Sequence, residues 1–256
     1  MSQYYSGKRA KNVFDPASKE PFLLSRSKLD SFLNCRRCFY LDRRLGVAQP
    51  PGYPFSLNSA VDALLKKEFD IHRTEKSPHP LFATYGIDAL PFQHEKMQEW
   101  RDARRGVQYL HEPSNFLVSG AIDDIWVNPQ GELHVVDYKA TSKNGEVNID
   151  ADWQIGYKRQ MEIYQWLFRK NGFQVSNVGY FVYVNAHTDR KAFDGKLEFD
   201  VKIIPYEGSD VWIESALLEA RKTLEADTLP EANMDCDFCL YRKSVQDALA
   251  PFQKKE

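Results

Sequence analysis

The chain has 256 residues, 43% of them hydrophobic, and a formal charge of −2 at pH 7, so it can build one sizeable core. The near-neutral balance excludes recruitment of nucleic acid by a global basic field, and such a partner must be held by local patches. The polar N-terminus lacks the apolar centre of a signal peptide, and no stretch approaches the roughly 18 uninterrupted apolar residues of a membrane span, so a cytoplasmic protein with no membrane partner is expected.

Residues 1–20, basic and small polar without periodicity, are expected to form a flexible arm, and residues 21–256 a single domain. From Ser27, SKLDSFLNCRRCFYLDRRL has apolar residues at Leu29, Phe32, Leu33, Tyr40, Leu41 and Leu45, a helical spacing closed by QPPGYP at 49–54. SLNSAVDALLKKEFDIHR then reads as an amphipathic helix with Leu57, Val61, Leu64, Leu65 and Phe69 on one side and Asp62 set among them. Prolines break residues 74–115, where HEKMQEWRDARRGVQYL is expected to hold one helix. FLVSGAIDDIWV and ELHVVDYKA read as two strands joined by the turn residues Asn128-Pro129-Gln130-Gly131. A helix over 152–170, strands VGYFVYVNA and KLEFDVKIIPY, a helix VWIESALLEARKTLEA and a cysteine-bearing tail complete the chain. This order predicts an α/β fold, a central mixed β-sheet flanked by helices, rather than repeated βαβ units.

Residues two apart on a strand share a face, so Asp137 and Lys139 of VVDYK emerge together while Tyr138 points the other way. A hard carboxylate oxygen suits Mg²⁺ or Mn²⁺, and a neighbouring ammonium orients water or steadies charge developing on phosphorus. The preceding strand offers Asp123 and Asp124. Pairing Val127 with Glu132 around a four-residue loop brings Asp124 to the Asp137 face, whereas an odd loop or a bulge brings Asp123.

The stretches GAIDDIWV, ELHVVDYKATSK and QMEIY resemble the RecB-like branch of the PD-(D/E)XK nucleases. That pattern runs G-x-x-D, then two hydrophobic residues with D-Y-K, then Q-x-x-x-Y, here Gly120 and Asp123, Val135 to Lys139, and Gln160 with Tyr164. The resemblance spans about residues 27 to 245 and implies a restriction-endonuclease-like core. It further implies that Asp123, Asp137 and the carbonyl of Tyr138 bind the metal and that Lys139 assists the attacking water. It favours Asp123 over Asp124, and it gives Gln160 and Tyr164, one helical turn apart, the task of orienting Lys139 or touching the scissile strand. Asp62 stands where relatives commonly carry a histidine ligand, and an aspartate serves Mg²⁺ or Mn²⁺ as well.

The four cysteines form two C-x-x-C pairs, Cys35 with Cys38 and Cys236 with Cys239, and each pair supplies half of a tetrahedral thiolate set. The pattern predicts one shared metal site joining the N- and C-terminal segments. CRISPR-associated exonucleases of the RecB-like kind resemble this staple and hold a 4Fe–4S cluster with one early and three late cysteines. Here Val245 stands at the last of these, and Cys38 is the replacement. The two-plus-two set suits Zn²⁺ as readily as a 4Fe–4S cluster.

Basic residues group at Arg36, Arg37, Arg43 and Arg44, at Arg101, Arg104 and Arg105, and at Lys143, Lys158 and Arg159. The last group flanks the motif residues and is the preferred phosphate contact, with Tyr157 or Trp153 available to stack on an unpaired base. The expected function is a divalent-metal-dependent deoxyribonuclease of repair, recombination or defence. It would act on DNA with single-stranded character, alone or beside a helicase or another repair or defence protein. The alternative is a non-catalytic DNA-binding module of a larger helicase-nuclease assembly.

Overall fold

The computed structural model describes residues 7–52 and 55–252, which fall into two compact units where one domain is expected. Residues 1–6 of the expected arm, 53–54 of the turn expected at 49–54, and 253–256 lie outside the described residues.

The first unit takes the described residues of 1–53, 110–118 and 212–256. It contains β1 (Phe22–Ser25), α1 (Arg26–Asn34), α2 (Arg36–Arg43) and, from the far end of the chain, α7 (Ile213–Glu225) and α8 (Asp237–Leu249). The single helix expected from Ser27 is two, because Cys35 between them is extended, with φ −162° and ψ 108°. Helices α1, α2 and α7 pack on one another over Leu29, Phe32, Phe39, Leu217 and Leu224, all buried. Phe32 and Phe39 meet edge to face at 5.3 Å. Residues 7–20 are less loose than their composition suggests: Phe14 is buried with its ring edge on Phe22, and Arg9 donates to the Asp42 carbonyl at 2.6 Å.

The second unit takes the described residues of 54–109 and 119–211. Its elements are α3 (Ser56–Glu75), α4 (Pro80–Tyr85), β2 (Leu90–Pro91), α5 (Met97–Arg101), β5 (Asp124–Val127), β6 (Leu133–Thr141), α6 (Ile155–Lys170), β7 (Val178–Ala186) and β8 (Phe199–Glu207). Strands β3 (Val107–His111) and β4 (Phe116–Gly120) carry the chain between the units and join β1 in a sheet of order β1-β4-β3. The helix expected over 94–110 is therefore the short α5 followed by β3, since the backbone turns extended at Asp102 (φ −74°, ψ 119°) directly after Arg101.

The five-stranded sheet runs β2-β5-β6-β7-β8, with β6 and β7 parallel and the other pairs antiparallel, the mixed sheet flanked by helices that the pattern predicts. Central β6 is covered on both faces, and so its residues 133–138 are all buried, which explains its near-continuous apolar run. Val136 and Tyr138 pack with Leu65 and Phe69 of α3 and with Trp126. The other face, carrying Val135, Asp137 and Lys139, meets α6. On α3 the buried line is Val61, Leu65, Phe69 and Arg73, spaced four apart. Leu57 and Leu64, expected on that face, are 66% and 62% exposed.

Candidate active site and cysteine centre

The loop between β5 and β6 has five residues, 128–132, because Val127 lies opposite Leu133 and Asp124 opposite Val136. The side chain of Asn128 sets this length by accepting from the backbone N–H groups of Gln130 and Glu132 at 3.1 and 2.8 Å. Asp124 therefore shares the face of Val136 and Tyr138 and not that of Asp137, while position 123 lies one residue before the paired strand. Asp123 itself sits in a bend between β4 and β5, which the sequence pattern reads as one strand.

A cavity of about 360 Å³ opens beside this bend, lined among others by Phe55, Asp62, Asp123, Tyr138, Lys139 and Tyr157. Asp123 accepts the backbone N–H of Tyr138 at 2.9 Å. Its other oxygen and Asp62 both receive the ammonium of Lys66, at 3.2 and 2.8 Å. Lys66, a turn after Asp62 on α3, is a site residue the sequence reading missed, although its i,i+4 spacing was available as a signal. Burial alone would lower the Lys66 pKa, but Asp123 and Asp62 outweigh it and raise the value above the ordinary one. Burial and the Asp123 charge push Asp62 up against the opposing pull of Lys66.

Asp137 is fully buried on β6 and forms an ion pair with Lys139. The Lys139 ammonium lies 4.5 Å from the centroid of the Tyr157 ring, a cation–π contact that holds it over α6. Burial, then the charge of Asp137, raises the Tyr157 pKa. On α6, the Gln160 amide donates to the Tyr164 hydroxyl at 3.1 Å. The Tyr164 ring is buried against the bare Cα of Gly120, where a Cβ would come within 2.5 Å of its Cε1 atom. The glycine of G-x-x-D and the tyrosine of Q-x-x-x-Y are thus one packing contact between β4 and α6.

Asp124 does different work on the opposite face. It is fully buried, pairs with Arg73 and with Arg101 (3.1 Å), and accepts the Tyr138 hydroxyl at 2.8 Å. Burial and Asp124 raise the Tyr138 pKa well above the usual phenol range. Arg101, expected among the phosphate contacts, is consumed here, and Arg43 is likewise buried against Asp42. Removing one member of such a network strands buried charge, so Asp124→Ala is expected to cost about 3–5 kcal/mol of stability. Asp123→Ala, whose side chain is 22% exposed and pairs with Lys66, is expected to cost about 1 kcal/mol. Urea unfolding of the two variants measures both, and equal losses would contradict the division of labour.

The four cysteine sulfurs converge in the first unit. Sγ separations are 3.8 Å for Cys35–Cys239, 3.6 Å for Cys38–Cys236 and 3.5 Å for Cys38–Cys239, and the four donor atoms lie within 4.8 Å of one another. Among the described residues this is the one group of three or more His, Cys, Asp or Glu side chains gathered so closely. Both pairs share a local design. Cys35 and Cys236 are extended residues at the N-termini of α2 and α8, and Cys38 and Cys239 follow in the first turns. Two helix N-termini therefore direct their partial positive charge at the sulfurs, which favours thiolates. Burial opposes ionisation of Cys35, but backbone N–H groups of Asn233 and Cys38 outweigh it and bring its pKa down to about 7, whereas burial pushes Cys38 up.

A sequence model of the PD-(D/E)XK nuclease superfamily matches residues 23–244. No curated protein matches the chain. Among solved structures, the crystal structure of SSO0001 resembles 88% of this chain over 86% of its own, at 17% identity and a TM-score of 0.42.

Proposed function

Because the chain belongs to the PD-(D/E)XK nuclease superfamily, whose members are generally metal-dependent nucleases, we propose that it is a divalent-metal-dependent deoxyribonuclease. The observation that supports this reading is the cavity lined by Asp62, Asp123 and Lys139 together, with the buried Asp137 as the ion-pair partner of Lys139. The donor set is entirely oxygen, from the three carboxylates and the Tyr138 carbonyl, and so fits Mg²⁺ or Mn²⁺. That Asp62 and Asp123 already converge on one cationic group, the Lys66 ammonium, supports their serving a common ion.

Bound there, the ion would polarise the scissile phosphate and make its water more acidic. Lys139, held between Asp137 and the Tyr157 ring, would orient that water and offset charge developing on phosphorus. Gln160 and Tyr164 act as positioning residues, fixing α6 against Gly120 and thereby the Tyr157 ring beneath Lys139. Lys143, Lys158 and Arg159 remain the proposed phosphate contacts, in place of the buried Arg43 and Arg101.

The test is cleavage of labelled single- and double-stranded DNA by the purified protein with Mn²⁺, Mg²⁺ or EDTA. Shortened products with a divalent ion and none in EDTA are expected. Binding without cleavage under every condition would favour the non-catalytic module instead.

At the cysteines, the Sγ separations favour Zn²⁺ over a 4Fe–4S cluster. A tetrahedral site with Zn–S bonds of about 2.3 Å has sulfur edges of roughly 3.8 Å; three of the separations are 3.5–3.8 Å and all four sulfurs lie within 4.8 Å of one another. A cluster must hold its thiolates farther apart around four irons. Elemental analysis and a visible spectrum of anaerobically purified protein decide between them, and a broad absorbance near 400 nm with about four irons per chain would establish the cluster.

A further inference from the structure

Trp153 lies in the short 3-10 turn Asp152–Gln154 that leads into α6. It is 67% exposed, whereas Trp100, Trp126 and Trp166 are buried. Its ring packs edge to face on Tyr157 at 5.5 Å, and Tyr157 in turn carries the Lys139 ammonium. A continuous path therefore runs from the candidate water-orienting lysine through one aromatic ring to another that faces solvent. Phe55, which lines the same cavity, is 76% exposed.

The turn that presents Trp153 is held in place. The buried side chain of Gln154 donates to the Asn148 carbonyl at 2.9 Å and accepts the Ala151 N–H at 3.0 Å. A large ring on a fixed turn gives up little conformational freedom on binding. Charge decides what it meets: Asp150 and Asp152 flank it in sequence and are exposed, so they repel a phosphate. A base, which carries no charge and offers a π-face, is not repelled. In a duplex that face is already covered by the neighbouring base pair.

Resting on the nuclease reading above, we propose that Trp153 stacks on an unpaired base of the substrate and makes the site prefer single-stranded DNA over duplex. Trp153 determines specificity in this role and takes no part in the hydrolysis.

The test measures binding apart from chemistry. A fluorescein-labelled oligothymidylate and a duplex of equal length are titrated without added divalent ion or chelator with the native protein, Trp153→Ala and Trp153→Phe, following anisotropy. Trp153→Ala should bind the oligothymidylate about tenfold more weakly and the duplex unchanged, with Trp153→Phe retaining most of the single-strand affinity. Unchanged single-strand affinity in Trp153→Ala, an equal loss on both probes, or native protein that binds neither probe would each overturn the proposal. Thermal melts of both variants show whether a loss comes from unfolding. Cleavage in Mn²⁺ by the native protein tests the nuclease reading separately: an active enzyme whose Trp153→Ala variant binds normally defeats the stacking role alone.

Discussion

Replacing Asp137 with alanine is expected to lower divalent-dependent DNA cleavage by about a thousandfold or more while the protein remains folded. The size follows from the several kcal/mol that a well-held metal contributes to such a reaction, each 1.36 kcal/mol being a factor of ten. The persistence of the fold follows from position. Asp137 is fully buried on the central strand, and a carboxylate there is costly to desolvate. Its partner Lys139 is 14% exposed and keeps the Tyr157 ring beneath it, so removing the acid does not strand an isolated buried charge. Asp137→Asn, which preserves shape and deletes only the charge, should lose the same activity. Either variant cleaving at the native rate, with an unchanged thermal midpoint, would remove Asp137 from the reaction.

Cys239→Ser should release the metal of the cysteine centre and unfold the first unit. Cys35 and Cys239 are 204 positions apart, and closing a loop of that length withdraws unfolded-state entropy on the order of 5 kcal/mol. The ligand bonds add to this, because a site with no counterpart in the unfolded chain turns binding energy into folding energy. Metal content by elemental analysis and helicity by circular dichroism are the measurements. A variant retaining full helicity and the native melting curve would show that packing of α1, α2 and α7 suffices. Acidification should give the same loss reversibly, because thiols must ionise to bind a metal. Metal retention should therefore decline on going from neutral to acidic pH.

Much of the second unit was legible because its signals are local. The continuous apolar run of β6, the period of α6 and the alternation of β8 each follow from what a covered or half-covered element requires. The choice between Asp123 and Asp124 was not legible from periodicity, since it turns on a single residue of loop length that Asn128 sets through its side chain. Resemblance supplied what spacing left open. Arg101 and Arg43 read as surface cations because a one-dimensional pattern does not show that Asp124 and Asp42 wait for them in the interior. Lys66 was overlooked because one of the two carboxylates it serves, Asp123, lies 57 positions away in the chain. The first unit is assembled from three separated segments of the chain.

That discontinuity imposes an order on biosynthesis. Every segment of the second unit has left the ribosome's decoding centre by residue 211, and Asp62, Asp123, Asp137, Lys139 and Tyr164 are among them. Cys236 and Cys239 are translated afterwards. At the usual 5–20 residues per second, the nascent chain carries these side chains for roughly a second or more before the last two thiols exist. Gathering of the four thiols is thus a step that follows translation of the second unit.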